Sequence, residues 1–346
     1  MKVPSSLSST LSNSPWLMLS PKDGGCMLYN PKEGKIERNL VGDFPGCRFL
    51  ANSGNWWLVL DSGSNLSIVD VFSKETIHLP SLESIRSTTC SIKRVGDKRF
   101  LRLDRTNIFV EQDYDAMSCD DVRGLLWVDE GEKDYVVVWF FDHEYNHDYV
   151  SFCKKGDTHY TDIPLFYPDN HWFKGLSEMV LRGYTLYITT SRRFVRVVDL
   201  SGSSFRETTR PFPMLSCYET CDSSIAVTTS GEVLLVESDP WNRSWFRVYK
   251  KDPDLKNPDS SCHTVLEVDS LGGEALLLDL GFTVPANVAL GIEPDSIYFT
   301  RHYRPSHWSG RGLDICVYNL VSKSFKRFSD VDVKGLTDAR WFLPGI

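Results

Sequence analysis

The chain has 346 residues and a net charge of −8, and its Lys and Arg do not provide the cationic surplus that nonspecific binding to a phosphate backbone needs, so nucleic acid is not an expected partner. Ten Trp and nineteen Phe, with 41% hydrophobic residues overall, are enough to build a large core and exclude a disordered chain. No apolar run approaches the ~20 residues that a helix needs to cross a bilayer, so no membrane partner is expected either.

The first fourteen residues, MKVPSSLSSTLSNS, are Ser-rich and lack acidic residues, as transit peptides do, but they also lack the Arg of an amphipathic transit helix. They read as a flexible leader on an intracellular protein of the cytoplasm or nucleus, with mitochondrial import as the alternative. Sheet structure starts at once. Trp16–Leu19, a turn at Gly24-Gly25 and Cys26–Asn30 read as a hairpin, and Lys32–Ile36 leads toward a further strand.

A cadence then sets in: an apolar or alternating run, a short polar turn, a return strand, and often a closing Leu-Pro, Ile-Pro or Phe-Pro. It occupies Gly54–Pro80, Asp134–Pro164 and Leu176–Pro213, and Ile225–Pro253 repeats the same order. Between the first two copies, Lys98–Asp104 and Thr106–Gln112 read as strands. The acidic stretch Glu111–Asp121 reads as an exposed connecting loop, because short runs of like charge stay solvated. Towards the C-terminus, Cys262–Phe282 gives two strands about Gly272-Gly273, and Ser296–Tyr303 and Leu313–Ser329 give three more. Helical periodicity is absent throughout.

Units of this kind repeated radially make a β-propeller. The expectation is an all-β propeller of about six or seven blades, mostly antiparallel four-stranded units, forming a single domain over residues 15–346 behind the leader 1–14.

Nine cysteines are scattered without a disulfide-framework spacing or a Cys-x-x-Cys pair, as in a reducing compartment. Cys217, Cys221, Cys262 and His263 do not complete a tetrahedral ligand set, and the cysteines read as core residues. Asn65-Leu66-Ser67 and Asn242-Arg243-Ser244 fit the glycosylation triplet, but no secretory apolar region precedes them.

His143-Glu144-Tyr145-Asn146-His147 fits H-E-x-x-H, which on a helix sets two imidazoles on one face for zinc with the Glu as base. Apolar strand patterns run directly into and out of it. It therefore falls in a hairpin connection, where residues i and i+4 share no face, and a zinc-dependent hydrolase is the remote alternative. The sequence has no phosphate-cradling Gly-rich loop, no nucleophile elbow and no dinucleotide fingerprint, so no catalytic residue and no cofactor is expected. Arg301–Gly312, in contrast, interleaves Arg301, Arg304 and Arg311 with Tyr303 and Trp308. Arg and aromatic side chains on a loop held by a rigid sheet are the residue types that anchor protein interfaces, so these five are the expected partner-binding residues.

Pro15–Leu19, Gly54–Leu60, Thr228–Glu237, Val265–Phe282 and Ser296–Thr300, in that order, make the chain resemble the C-terminal propeller of the plant F-box-associated family, the KIB-type domain of unknown function. In many members of that family an N-terminal F-box recruits a Skp-type adaptor and a cullin ubiquitin ligase, while the propeller is expected to bind the substrate; some relatives lack the box and are organelle-targeted. With strand structure beginning near residue 15, this sequence shows no F-box, so direct binding of a Skp-type adaptor is not expected. The resemblance implies a monomeric, non-catalytic protein-interaction propeller connected to ubiquitin-ligase substrate recognition, with an organelle-targeted propeller that has no ubiquitin role as the alternative.

Overall fold

The computed structural model describes residues 14–21, 25–39, 44–87, 90–104, 116–142, 149–165, 176–216, 221–240, 243–254, 264–300, 315–328 and 336–343. Among these, helical geometry is confined to three short 3-10 turns, Leu82–Ser84, Cys119–Asp121 and Val288–Leu290. Everything else that is regular is strand, and the architecture is the all-β propeller expected from the cadence. By internal contacts the chain forms two compact units, one of Met1–Pro45, Thr220–Lys250 and Glu267–Ile346, the other of Gly46–Glu219 and Lys251–Leu266.

The chain opens with β1 (Trp16–Pro21), β2 (Met27–Asn30) and β3 (Lys35–Asn39) in the first unit. The second unit begins with β4 (Arg48–Ser53), β5 (Trp56–Leu60), β6 (Leu66–Asp70) and β7 (Thr76–His78), a meander in that order. A three-stranded sheet follows from β8 (Cys90–Gly96), β9 (Arg99–Asp104) and β10 (Ala116–Ser118). The next meander is β11 (Val122–Asp129), β12 (Asp134–Phe141), β13 (Tyr149–Lys154) and β14 (Thr161–Pro164). After it come β15 (Leu176–Arg182), β16 (Thr185–Thr190) and β17 (Phe194–Asp199), whose outer edge pairs with both β18 (Arg206–Glu207) and β19 (Phe212–Pro213).

The chain continues through β20 (Asp222–Val227), β21 (Val233–Ser238), β22 (Phe246–Lys251), β23 (Val265–Val268), β24 (Glu274–Leu277), β25 (Phe282–Pro285), β26 (Ser296–Thr300), β27 (Ile315–Asn319) and β28 (Ser324–Arg327). These nine share one sheet, in which the β24–β25 hairpin joins two meanders, β20–β23 and β26–β28. The last strand, β29 (Leu336–Phe342), pairs antiparallel with β1 from Trp16↔Phe342 to Leu19↔Ala339. Thus six sheets hold the described strands, the largest carrying two meanders, in keeping with six or seven repeated units.

Strands buried on both faces read as continuous apolar runs, whereas a half-covered strand alternates. β5 (WWLVL) is buried at every position, and β11 (VRGLLWVD) alternates buried with half-buried residues. β12 serves two cores of the second unit. Val137, Trp139 and Phe141 join Leu58, Ile68 and Tyr160 on one side, while Val136 and Val138 join Phe152, Ile188 and Val198 on the other. In the first unit β24 divides likewise, with Leu277 packed near Trp341 and Leu276 near Phe246 and Phe299. The gap between neighbouring sheets is narrow at Gly124 of β11, where a Cβ would stand 2.5 Å from Cδ2 of the fully buried Leu58. A side chain there is excluded by close approach rather than by backbone conformation.

The polar turns repeat one device. At the end of a third strand an Asp or Asn accepts N–H groups two or three residues ahead, closing an Asx turn. Asp70 Oδ1 binds the N–H groups of Phe72 (2.8 Å) and Ser73 (3.1 Å), and Asn319 Oδ1 binds those of Val321 (3.1 Å) and Ser322 (2.8 Å). Asn30 and Asp199 do the same for Lys32 and Ser201. Four residues past Asn30, Asp70 and Asn319 the chain takes a left-handed conformation, at Gly34, Lys74 and Lys323.

The structure adds β4, β8, β11 and β25, which the sequence pattern does not assign, and it departs from the expected course in two further places. Residues 116–121, the described part of the acidic stretch read as a loop, form β10 and a 3-10 turn, with Met117 and Cys119 buried. Their acids are not merely solvated: Asp121 accepts the Ser118 N–H at 3.2 Å while Ser118 Oγ accepts the Asp120 N–H at 3.1 Å, a capping box. Secondly, the reading ends its last strand by Ser329, whereas β29 follows. Asp338 and Arg340 interrupt its apolar pattern, and β1 supplies the pairing that makes it a strand. The strand expected at Thr106–Gln112 lies outside the described residues.

Candidate functional site

Arg301, Tyr303, Arg304, Trp308 and Arg311 lie outside the described residues, but the strands that carry them do not. β26 and β27 pair in continuous register from Ser296↔Asn319 to Thr300↔Ile315, so the 301–314 connection leaves from a closed hairpin stem. Every residue of β26 is buried. The last of them, Thr300, is fixed from three sides.

Asp279, directly after Leu278 at the exit of β24, is the centre of this anchorage. Its neighbouring turn is tight: Gly281 donates its N–H to Leu277 O at 2.9 Å and sits at φ 73°, where a Cβ would be strained. Asp279 Oδ1 accepts the Thr300 N–H at 3.2 Å, and Oδ2 accepts the Trp341 N–H at 3.3 Å and faces Thr300 Oγ1 at 3.1 Å. Thr300 Oγ1 also lies 2.9 Å from Ala339 O. One carboxylate thereby ties the exits of β24 and β26 to β29.

A cation stands close by. Arg243, in the connection between β21 and β22, has a side chain only 11% exposed, pairs with Asp222 at 3.3 Å and lies 6.0 Å from the centroid of the Phe299 ring. Burial pushes the Asp279 carboxyl up to about 6, against the bonds from Thr300 and Trp341 and the nearby Arg243, which favour the charged form. Its folded pKa thus exceeds the ordinary value of 3.8. Folding takes up a proton between these values, so this group's contribution to stability is fully present below about 3.8 and is lost as pH rises through about 6. We expect the stability of the wild type relative to Asp279→Asn to increase by about 2 kcal/mol from pH 7 to pH 4. Denaturant unfolding at a series of pH values measures it, and a constant difference contradicts it.

The other residues singled out in the sequence are placed as follows. His143, Glu144 and His147 lie outside the described residues, between β12 and β13, which pair antiparallel up to Trp139↔Ser151. Among the described residues no three or more His, Cys, Asp or Glu side chains stand together as a metal site. Cys26, Cys119, Cys153 and Cys316 are buried, whereas Cys47 and Cys221, the latter expected in the core, are half-buried. Burial pushes the Cys47, Cys119 and Cys153 thiols up, away from the thiolate that nucleophilic chemistry needs. Cys217, Cys262 and His263 lie outside the described residues. Among the described residues no helix is long and apolar enough to cross a membrane.

Asp279, Arg243 and Asp222 were not singled out by the sequence reading. The signal for Asp279 was a lone carboxylate in the run ALLLDLGF, since such a group needs partners once its neighbours are buried. Nothing local announces which partners those are.

Comparison with known proteins bears directly on the family. Residues 13–319 match the model of the KIB1-4 beta-propeller. Among curated relatives, the Arabidopsis thaliana F-box protein At5g25290 is 43% identical over 96% of this chain and 85% of its own length, and F-box protein At2g14290 of the same plant gives the same identity and coverage. F-box protein KIB4 of Arabidopsis thaliana is 32% identical over 98% of this chain and 86% of its own length. With its repeated four-stranded meanders and a match that spans most of its length, the chain belongs to the KIB1-4 β-propeller family.

Proposed function

We propose that this chain is a non-catalytic protein-interaction propeller, the counterpart of the substrate-binding part of plant F-box proteins, and that it holds its partner through the β26–β27 connection. The observation that carries the reading is the stem of that connection. Thr300 is held by Asp279 and packed beside β29, so the five Arg and aromatic residues that follow start from a fixed point. Preorganisation of this kind lowers the entropy lost when a loop binds. Relatives that carry the F-box name support the link to ubiquitin-ligase substrate recognition.

Affinity purification of the tagged chain from plant tissue tests the proposal, with a Skp-type adaptor and a cullin scored alongside other proteins. The expected result is a reproducible protein partner that is lost when Arg301, Tyr303, Arg304, Trp308 and Arg311 are all changed to Ala, while the thermal midpoint is unchanged. Recovery of the adaptor and cullin with that partner supports the ubiquitin connection. Equal capture by the wild type and the five-fold variant overturns the placement of the surface.

A further inference from the structure

The outer edge of the β15–β19 sheet has a charge opposite to that of the chain. Residues 182–213 contain six arginines but only two carboxylates, Asp199 and Glu207, in a protein of net charge −8. Both carboxylates are engaged within the sheet: Glu207 with the buried Arg196, and Asp199 with Arg206 at 3.0 Å.

Past Thr208, whose N–H still reaches Val197 O at 2.9 Å, the outer strand leaves its partner. Val198 pairs with Glu207 and Val195 with Phe212, so five residue steps on the edge span three on β17, a bulge of two residues. Arg210 is exposed within that bulge. Two residues on, the half-buried Phe212 ring has Lys251 Nζ 5.0 Å from its centroid, and Lys251 itself is exposed. On the β17 side, Arg193 accepts the Met214 N–H on its carbonyl and donates Nη1 to Ser216 Oγ, both at 2.8 Å, with exposed Arg192 beside it. The nearby acids Asp252 and Asp254 are linked by the Asp254 N–H to Asp252 Oδ1, at 2.9 Å.

An open sheet edge invites a further strand, and a bulge with flanking prolines prevents it. Pro211 and Pro213 frame Phe212, so this edge can engage a partner through side chains but not by strand addition. Guanidinium forks and an ammonium beside an aromatic face suit carboxylates, with the ring taking up the apolar part of the ligand.

We propose that Arg210, Lys251 and Phe212, flanked by Arg192 and Arg193, bind an acidic segment of a partner protein. This surface is separate from the β26–β27 connection, and either can fail without the other. The probe is a fluorescein-labelled twelve-residue peptide of Asp, Glu and Ser with one central Phe, followed by anisotropy at physiological salt. The expected result is saturable binding that weakens at least tenfold in Arg210→Glu/Lys251→Glu and at least threefold in Phe212→Ala. The matched charge change at another exposed place in the unit, Lys93→Glu/Lys98→Glu, is expected to leave binding within twofold of the wild type. Both Arg210 and Lys251 are exposed, so the double variant should keep the wild-type thermal midpoint. Equal weakening by the two double variants overturns the proposal, as does no binding by the wild type. Tighter binding of a labelled single-stranded RNA of the same length overturns it in favour of nucleic acid. A wild-type dimer in light scattering that Arg210→Glu/Lys251→Glu dissolves assigns the surface to a second copy instead.

Discussion

Changing Trp139 to Ala should destabilise the protein by about 3–5 kcal/mol, the range for removing a large aromatic side chain from a core. Trp139 is fully buried, with edge-on contacts to Phe141 (5.6 Å between centroids) and Tyr160 (5.4 Å), and it sits among the core residues between the sheets of the second unit. The site cannot collapse readily, because Phe141 and the strand residues Leu58, Ile68 and Val137 in the same core are fixed in register. Trp139→Phe provides the control. The indole N–H has no hydrogen-bond partner in the structure, so Phe keeps most of the packing and loses no bond, and about 1–2 kcal/mol is expected. Urea unfolding with the slope held constant measures both. A Phe variant as unstable as the Ala variant would show that the N–H has a partner of its own, such as a buried water.

Changing Glu207 to Ala should be nearly as damaging, for an electrostatic reason. The Arg196 side chain is 1% exposed on β17 and reaches Glu207 Oε1 with two of its nitrogens, Nε at 3.1 Å, while Nη1 donates to Pro164 O at 2.9 Å. Removing the carboxylate leaves a guanidinium out of water with less to neutralise it, and breaking a buried pair in this way costs about 3–5 kcal/mol. Glu207 is itself 29% exposed, so water can reach the vacated place and the lower end of that range is expected. The double change Arg196→Met/Glu207→Leu removes both charges and should be closer to the wild type than Glu207→Ala alone. Urea unfolding of the wild type and both variants decides, and a double variant less stable than Glu207→Ala shows that Arg196 matters through packing and its bond to Pro164.

These two predictions draw on different levels of the molecule. That Trp139 would be buried was legible in VVVWFF, because a strand covered on both faces reads as an unbroken apolar run. That Arg196 would be buried was not. FVRVVD reads as a strand with one solvated cation, and only the pairing of β17 with β18 brings Glu207 beside it. The candidate interaction surface divides similarly. Arg301–Gly312 stands out by composition, and Ser296–Thr300 and Ile315–Asn319 on either side of it are strands as the pattern predicts, but Asp279 is 21 residues from Thr300 and 62 from Trp341, the groups it joins. Lys251 meets a ring 39 positions earlier in the chain, a contact that no local pattern encodes.

What the sequence determined by itself was therefore the all-β class, the repeat and most of its turns. These depend on interactions that close within a few residues: alternation along a strand, and an Asp or Asn accepting N–H groups two or three positions ahead, as at Asp70 and Asn319. The tertiary structure decided which buried charge finds which partner, that β29 becomes a strand against β1, and where exposed cations gather on an edge in a protein of net negative charge. Each depends on strands brought together from distant parts of the chain. The free energy of such a contact belongs to the register between sheets, and neither partner's own sequence neighbourhood contains it.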